Sequence, residues 1–332
     1  MKQIAIIGGG GWGTALAILL ARNQHPLRLW TYEEDLAREI NRTRMNPLFL
    51  PGQAIPENVI ASPSLAEVLE GAELVLSAVP SQHCRHIYTQ MLPHLKPAMV
   101  FVTATKGLEH GSHLRMSEVM AEILASQFEP KIAVISGPSF ALEAARGDPT
   151  AIVVASRNKE IAQLVQQEFS GPTFRLYTNS DVAGVELGGA VKNVIAISAG
   201  ICHGLGFGFN TVAALITRGL AEMTRLAVAC GGKKETLAGL AGMGDLLLTS
   251  TGGLSRNRSV GVQIGQGKKL SDIIPNMRMV AEGVTTTHAT LDLAARQAVE
   301  MPIVGQMDLV LNQDKNPREA IRDLMDRRLR DE

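Results

Sequence analysis

The chain has 332 residues, 45% of them hydrophobic and 19% charged, and its 32 basic and 32 acidic side chains cancel to a formal net charge of +0. This is a globular composition with room for two domains, and the balance excludes the electrostatic footprint of a nucleic-acid or acidic-membrane binder. Three scattered cysteines, Cys84, Cys202 and Cys230, lack framework spacing and point to a reducing compartment, so the cytoplasm is the expected location.

In chain order, Ile4–Ile7 reads as a buried strand and Thr14–Arg22 as the helix after it. Leu27–Trp30, Leu74–Val79, Met99–Thr103, Ile132–Ile135 and Ala151–Ala155 are further apolar runs of strand length. Pro80, which has no N–H to give, stops the third of these strands. Helical patterns such as Leu114–Leu124 and Lys159–Phe169 lie between them. Near-continuous apolar strands alternating with helices predict a doubly wound parallel sheet of Rossmann type. From Val182 onward the periodicity is helical throughout, so residues 1–180 are expected to form the α/β domain and residues 181–332 an all-helical one. The tail "PREAIRDLMDRRLRDE" reads as a solvated terminal helix. No apolar stretch approaches the roughly 18 residues of a membrane span, and glycines follow the first apolar run too soon for a signal peptide.

The first strand runs into "GGGGWGTALA". The spacing Gly8-x-Gly10-x-x-Gly13 fits a dinucleotide fingerprint, with Gly8 for the tight turn, Gly10 for close approach to a pyrophosphate and Gly13 for helix–strand packing. The helix N-terminus behind it offers free N–H groups to phosphates. The alternative is a tight turn with no ligand. The choice between NAD and NADP stays open: Glu33 has about the spacing of a ribose-binding acid but lies past the strand end, and Arg28 sits within the strand.

In "ELGGAVKNVIAISAGICHGLGFGFN" the polar residues between Leu187 and Ile201 are Lys192, Asn193 and Ser198. A lysine so surrounded either snorkels to water or has its pKa lowered by burial until it can exchange protons. Gly188 and Gly189 remove bulk beside it, which favours a ligand site. Lys106 ends a strand, where ligands of open α/β sheets bind, and "ISGPSFA" ends another in a small-residue corner with Gly137 and Ser139. Asp245 stands in an apolar setting, and the "SRNRS" run (Ser255, Arg256, Asn257, Arg258) has the makings of a phosphate cradle or of a solvated loop. His83, Cys84 and His86 lack further ligands of matching spacing, so no metal is expected, and nothing nearby in sequence activates Cys202.

Together these stretches resemble the bacterial-type NAD(P)-dependent glycerol-3-phosphate dehydrogenases. The resemblance is carried by "IGGGGWGTALA", "VPS", "ATKGLE", "ISGPSFA", "LGGAVKNVIAI", "GLGFG", "LITRGLAEM", "AGMGDLLLT", "SRNRSVG", "VAEGVTT" and "MPI", in family order along the chain. It implies a Rossmann domain joined to a helical domain, a homodimer, and interconversion of dihydroxyacetone phosphate and sn-glycerol 3-phosphate for phospholipid synthesis. It implies Lys192 as the proton-exchanging residue. Lys106, Gly137, Ser139, Asp245, Ser255, Arg256 and Asn257 would line the substrate. Gly11, Trp12, Tyr32, Lys106, Ala141, Arg256, Val280 and Glu282 would touch NAD or NADP. The sequence departs from the family at Tyr32, at His203 and at Phe209. The competing readings are a related β-hydroxyacid dehydrogenase and a dinucleotide-binding redox sensor without turnover.

Overall fold

The computed structural model describes residues 1–277 and 281–328. Eight strands form the main sheet: β1 (Ile4–Ile7), β2 (Leu27–Trp30), β5 (Val59–Ser62), β6 (Leu74–Ser77), β7 (Val100–Thr103), β8 (Lys131–Ser136), β9 (Thr150–Ala155) and β10 (Phe174–Asn179). A short hairpin, β3 (Met45–Asn46) and β4 (Leu50–Ala54), stands apart. The main sheet runs β10-β9-β8-β7-β6-β1-β2-β5. Its β5-to-β8 portion is the doubly wound order whose direction reverses beside the first strand, so a crevice opens at the carboxyl end of β1. β1, β6 and β7 are buried on both faces, as a sheet covered by helices requires.

One pair departs from a wholly parallel sheet. β8 and β9 run antiparallel, with Val134 opposite Ala155 and Ser136 opposite Val153. The connection explains it. Parallel neighbours need a crossover that spans the sheet. The helix between β8 and β9, Ala141–Arg146, has six residues, roughly 9 Å at helical rise, against roughly 20 Å for a strand of that length. The chain therefore turns back at the end where β8 finished. Arg22 clasps this short helix by donating to the Ala145 carbonyl at 2.6 Å. β10, returned by the Lys159–Phe169 helix, pairs parallel with β9. The sequence reading contains no strand at β5 or β10.

After Asp181, whose carboxylate caps the next helix by accepting from Gly184 N at 2.8 Å, the described residues are helices and turns. The first helix, Val182–Gly204, is the axis of this layer. Contrary to the expectation from hydropathy, it is long and apolar enough to cross a membrane by length and composition, but its apolar window is wholly buried inside the protein. Its glycines explain how closely its partner approaches. A Cβ on Gly200 would lie 2.1 Å from the Arg258 carbonyl oxygen, and one on Gly204 would lie 2.3 Å from that of Val262. On the facing Arg256–Gly265 helix, Gly261 and Gly265 meet the carbonyls of Ile197 and Ile201 in the same way. Two glycine pairs, each four residues apart, let the backbones touch. The sheet side is tied in by Glu186, which accepts from Arg115 Nη1 at 2.8 Å and from Ser117 N at 2.8 Å.

Candidate functional site

A cleft of about 1520 Å³ lies between the carboxyl ends of the strands and the helical layer. The glycine corner forms one wall. Gly8 has φ +119°, and a Cβ there would press on the Ala78 carbonyl at 2.9 Å. Gly13 stands against the Gly8 carbonyl with no room for a Cβ, which holds the Gly11–Arg22 helix on its strand. A Cβ on Gly10 would meet nothing within 4 Å, so this backbone faces open space. No side chain caps the helix, which leaves its first N–H groups for an anion. The corner therefore fits a dinucleotide pyrophosphate.

Deeper in, three elements converge on one carboxylate. Asp245, at the start of the Asp245–Thr251 helix, accepts from Lys192 Nζ at 2.5 Å and from Lys106 Nζ at 2.6 Å. Lys192 also donates to Thr249 Oγ1 at 2.7 Å, and Lys106 to the Gly137 carbonyl at 3.0 Å. Burial pulls the Lys192 pKa down to about 7 against the opposing pull of Asp245, and the neighbouring Lys106 charge adds to the lowering. The snorkelling alternative fails, because the lysine side chain is 7% exposed and its head is spent on Asp245 and Thr249.

The Arg256–Gly265 helix directs its N-terminus into the cleft and sets Arg256 there. Ser255 caps it, its hydroxyl accepting from Arg258 N at 3.2 Å. Arg258 is absent from the cleft wall, since residues two apart on a helix point apart, so the cradle has one of the two arginines of that run. Asn257 bridges the layer: Nδ2 donates to Asn193 Oδ1 at 3.0 Å, and Oδ1 accepts from Gly283 N at 2.9 Å. Glu282 reaches across to the turn after β6, accepting from Ser81 Oγ at 2.8 Å and Ser81 N at 3.3 Å. Burial raises the Glu282 pKa above the ordinary carboxylate value, and the Ser81 bonds lower it.

The cleft collects Gly8, Gly10, Gly11, Trp12, Tyr32, Lys106, Ser139, Ala141, Lys192, Asp245, Ser255, Arg256, Asn257 and Glu282. Gly13 and Gly137 lie outside its wall. Gly137 acts through its carbonyl, and at φ +143° a Cβ there would strike Ile152 Cα at 2.9 Å. Val280 lies outside the described residues. The room expected beside Lys192 from Gly188 and Gly189 is taken by protein: Cβ atoms there would meet the Ala241 carbonyl at 2.5 Å and Ser136 Oγ at 2.6 Å. These glycines seat the lysine helix against its neighbours. Among the described residues no three His, Cys, Asp or Glu side chains are grouped to hold a metal. Sequence reasoning assigned no role to Thr249, Asn193 or Ser81. Their signals were weak: one helical turn beyond Asp245, adjacency to Lys192, and the "VPS" turn.

A doubly wound sheet, an open glycine corner and a buried lysine–carboxylate pair in one cleft define a dinucleotide-dependent dehydrogenase. The family described as the NAD-dependent glycerol-3-phosphate dehydrogenase N-terminus matches residues 3–162, and its C-terminal counterpart matches residues 181–322. The chain belongs to the NAD-dependent glycerol-3-phosphate dehydrogenase family. It is 59% identical over 329 residues to the glycerol-3-phosphate dehydrogenase [NAD(P)+] of Koribacter versatilis, covering 98% of each chain. It is 54% identical to that of Citrifermentans bemidjiense, covering 100% of this chain and 99% of the relative. The crystal structure of glycerol-3-phosphate dehydrogenase from Coxiella burnetii superposes with a TM-score of 0.94 at 43% identity, over 98% of this chain and 99% of that one.

Proposed function

We infer that Lys192 is the proton-exchanging residue in the interconversion of dihydroxyacetone phosphate and sn-glycerol 3-phosphate, the NAD(P)-dependent reaction of this family. The observation that carries this reading is a buried ammonium, 2.5 Å from Asp245 and pulled to a pKa of about 7, in the wall of the dinucleotide cleft.

The nicotinamide, when bound, supplies the hydride that reduces the ketone carbon or takes it back from the alcohol. As the ketone carbon is reduced, negative charge grows on its oxygen. Lys192 stabilises that charge and gives up its proton, so ketone, hydride and proton sum to the alcohol. In the reverse direction the neutral amine takes the hydroxyl proton. Asp245 and Thr249 hold the amine in line, and Lys106 adds positive field on the other carboxylate oxygen. Arg256, at a helix N-terminus, anchors the substrate phosphate and so orients a three-carbon molecule. Ser139, Ser255 and Asn257 line the substrate around it, while Trp12, Tyr32, Ala141 and Glu282 border the cofactor.

The enzyme works as a homodimer in the cytoplasm, and its glycerol 3-phosphate supplies phospholipid synthesis. Two features support the dimer and the compartment. The Phe209–Ala229 helix leaves Phe209 and Val228 exposed, and Leu247 is exposed on the neighbouring Asp245–Thr251 helix. Cys84, Cys202 and Cys230 are all free thiols.

The test is turnover. Mixed with dihydroxyacetone phosphate and NADH or NADPH, the protein should oxidise the reduced cofactor. Lys192→Ala should lower kcat by about 10²–10⁴ while the dinucleotide still binds. Near-normal turnover in that variant would remove Lys192 from the chemistry.

A further inference from the structure

The Glu282–Arg296 helix meets the sheet domain at two points. At the first, Glu282 holds Ser81 beside the cleft. Gly107 packs into that contact: a Cβ there would lie 2.7 Å from Ser81 Oγ and 3.3 Å from Glu282 Oε2. Gly107 directly follows Lys106, whose Nζ holds Asp245. The second point is at Asp292, about 15 Å further along the helix at helical rise. There His113, on the loop that leads from Lys106 to the Met116–Leu124 helix, sets Nε2 3.4 Å from Asp292 Oδ2. Arg296 adds a bond from Nη1 to the Ser112 carbonyl at 3.3 Å. One loop and one helix are thus fastened together twice, and the cleft end of the pair carries Lys106 and Glu282.

His113 is an unusual fastener. Its φ is +61°, a left-handed conformation uncommon outside glycine, and its side chain is 7% exposed. With a carboxylate facing Nε2, the neutral ring keeps its one proton there. Nδ1 is buried and has no partner among the described residues. The surroundings oppose a second proton. Burial is the largest effect, and Arg296 and His288 from the helix and His110 from the loop add to it, while Asp292 pulls the other way. Asp292 is also shared: His288 Nε2 stands 3.6 Å from the same oxygen, and His288 Nδ1 stands 3.5 Å from Asp308 on the Pro302–Asn312 helix. Glu109 of the loop is spent on Arg85 and Ser112. A proton arriving at Nδ1 would find no acceptor in this closed site, and the ring reaches water only by leaving it.

We propose that His113 is a positioning residue released by acid: neutral, it clips its loop to Asp292 and so keeps Lys106 and Glu282 in place in the cleft, and protonated, it lets the loop go. Two substitutions separate these roles. His113→Gln reaches Asp292 with an amide that does not titrate, whereas His113→Asn suits the left-handed backbone but falls short of Asp292. Hydrogen exchange at the Glu109 and His113 amides, bonded within the loop to the Leu114 and Glu109 carbonyls at 2.9 and 3.0 Å, reads the clip without any ligand. Corrected for intrinsic rates, their protection in the wild type should fall about threefold to tenfold from about pH 7.5 to about pH 5, the scale of one hydrogen bond. It should hold steady in His113→Gln and be low at both pH values in His113→Asn. The effect on the cleft rests on its dinucleotide reading. Quenching of Trp12 and Trp30, which both line it, reports NADH binding without turnover. At neutral pH His113→Asn should bind NADH about threefold to tenfold more weakly, and His113→Gln should restore the affinity. Wild-type protection indifferent to acid, or an equal fall in His113→Gln, overturns the acid release, and this comparison decides it even if His113→Asn does not fold. A loosened loop with NADH affinity unmoved overturns the positioning role. Absence of NADH binding in the wild type overturns the cleft reading and the positioning role with it, while exchange still decides the acid release.

Discussion

Lys192 and Lys106 both donate to Asp245, yet they stand in different surroundings. Lys192 is enclosed, whereas the Lys106 side chain is 18% exposed at the mouth of its strand. Burial makes Lys192 the group poised to change protonation, and its pKa of about 7 sets a direction for each half-reaction. With Lys192 as the proposed proton donor, reduction of the ketone uses the ammonium, so kcat/KM for dihydroxyacetone phosphate should fall as pH rises through about 7. Oxidation of glycerol 3-phosphate needs the amine and should rise over the same interval. A reduction profile that stays flat to about pH 9 would mean the proton comes from elsewhere. At this scale the sequence was legible wherever a residue's chemistry clashed with its surroundings, as for a lysine in an apolar run. Thr249 and Ser81 carried no such clash. A threonine in a helix and a serine after a proline are ordinary, and only the fold brings one to Lys192 and the other to Glu282.

The Val182–Gly204 and Arg256–Gly265 helices carry Lys192 and Arg256, so their contact sets the spacing of the two cations. That contact is backbone on backbone at Gly200, Gly204, Gly261 and Gly265. Gly261→Ala should destabilise the protein by about 1–3 kcal/mol, the usual cost of overpacking, because the new Cβ would lie far inside contact distance of the Ile197 carbonyl. Gly305 lies inside the Pro302–Asn312 helix, and a Cβ there would meet nothing within 4 Å. Gly305→Ala should instead stabilise by roughly 0.5–1 kcal/mol through helix propensity alone. Denaturant unfolding of the two variants checks both signs. Glycine spacing was visible in the sequence, but its partner was not. Gly188 and Gly189 look like room for a ligand when read along the chain, and they prove to be room for Ala241 and Ser136.

Over the whole molecule, the alternation of apolar strands and helices was enough to place the doubly wound sheet and the helical layer. Several features escaped, β10 and the β3–β4 hairpin among them, and two show why. β5 is a four-residue edge strand whose Ile60 is exposed, so it lacks the continuous apolar run of its neighbours. The reversal at β9 leaves no mark in hydropathy, since a buried strand reads the same in either direction. Buried acids also shape the response of the fold to pH. Glu222 accepts from Ile303 N at 2.8 Å and Val304 N at 3.3 Å, and burial raises its pKa from 4.5 to about 7. The folded protein thus keeps a proton there that the unfolded chain has shed. This contribution to stability is fully present below about 4.5 and is lost as pH rises through about 7. Glu222→Gln should therefore flatten the fall in melting temperature between about pH 5 and about pH 8.

The Val182–Gly204 helix is flanked at once by Phe209–Ala229 but leaves the ribosome well before the other segments that cover it. Its partners Arg256–Gly265 and Glu282–Arg296 are made later, and Pro302–Asn312 later still. For that interval a nascent chain with a finished sheet domain trails a greasy rod that chaperones, insertion machinery or another unfinished copy can all bind. The carboxyl-terminal third is thus what finishes the cover over this rod.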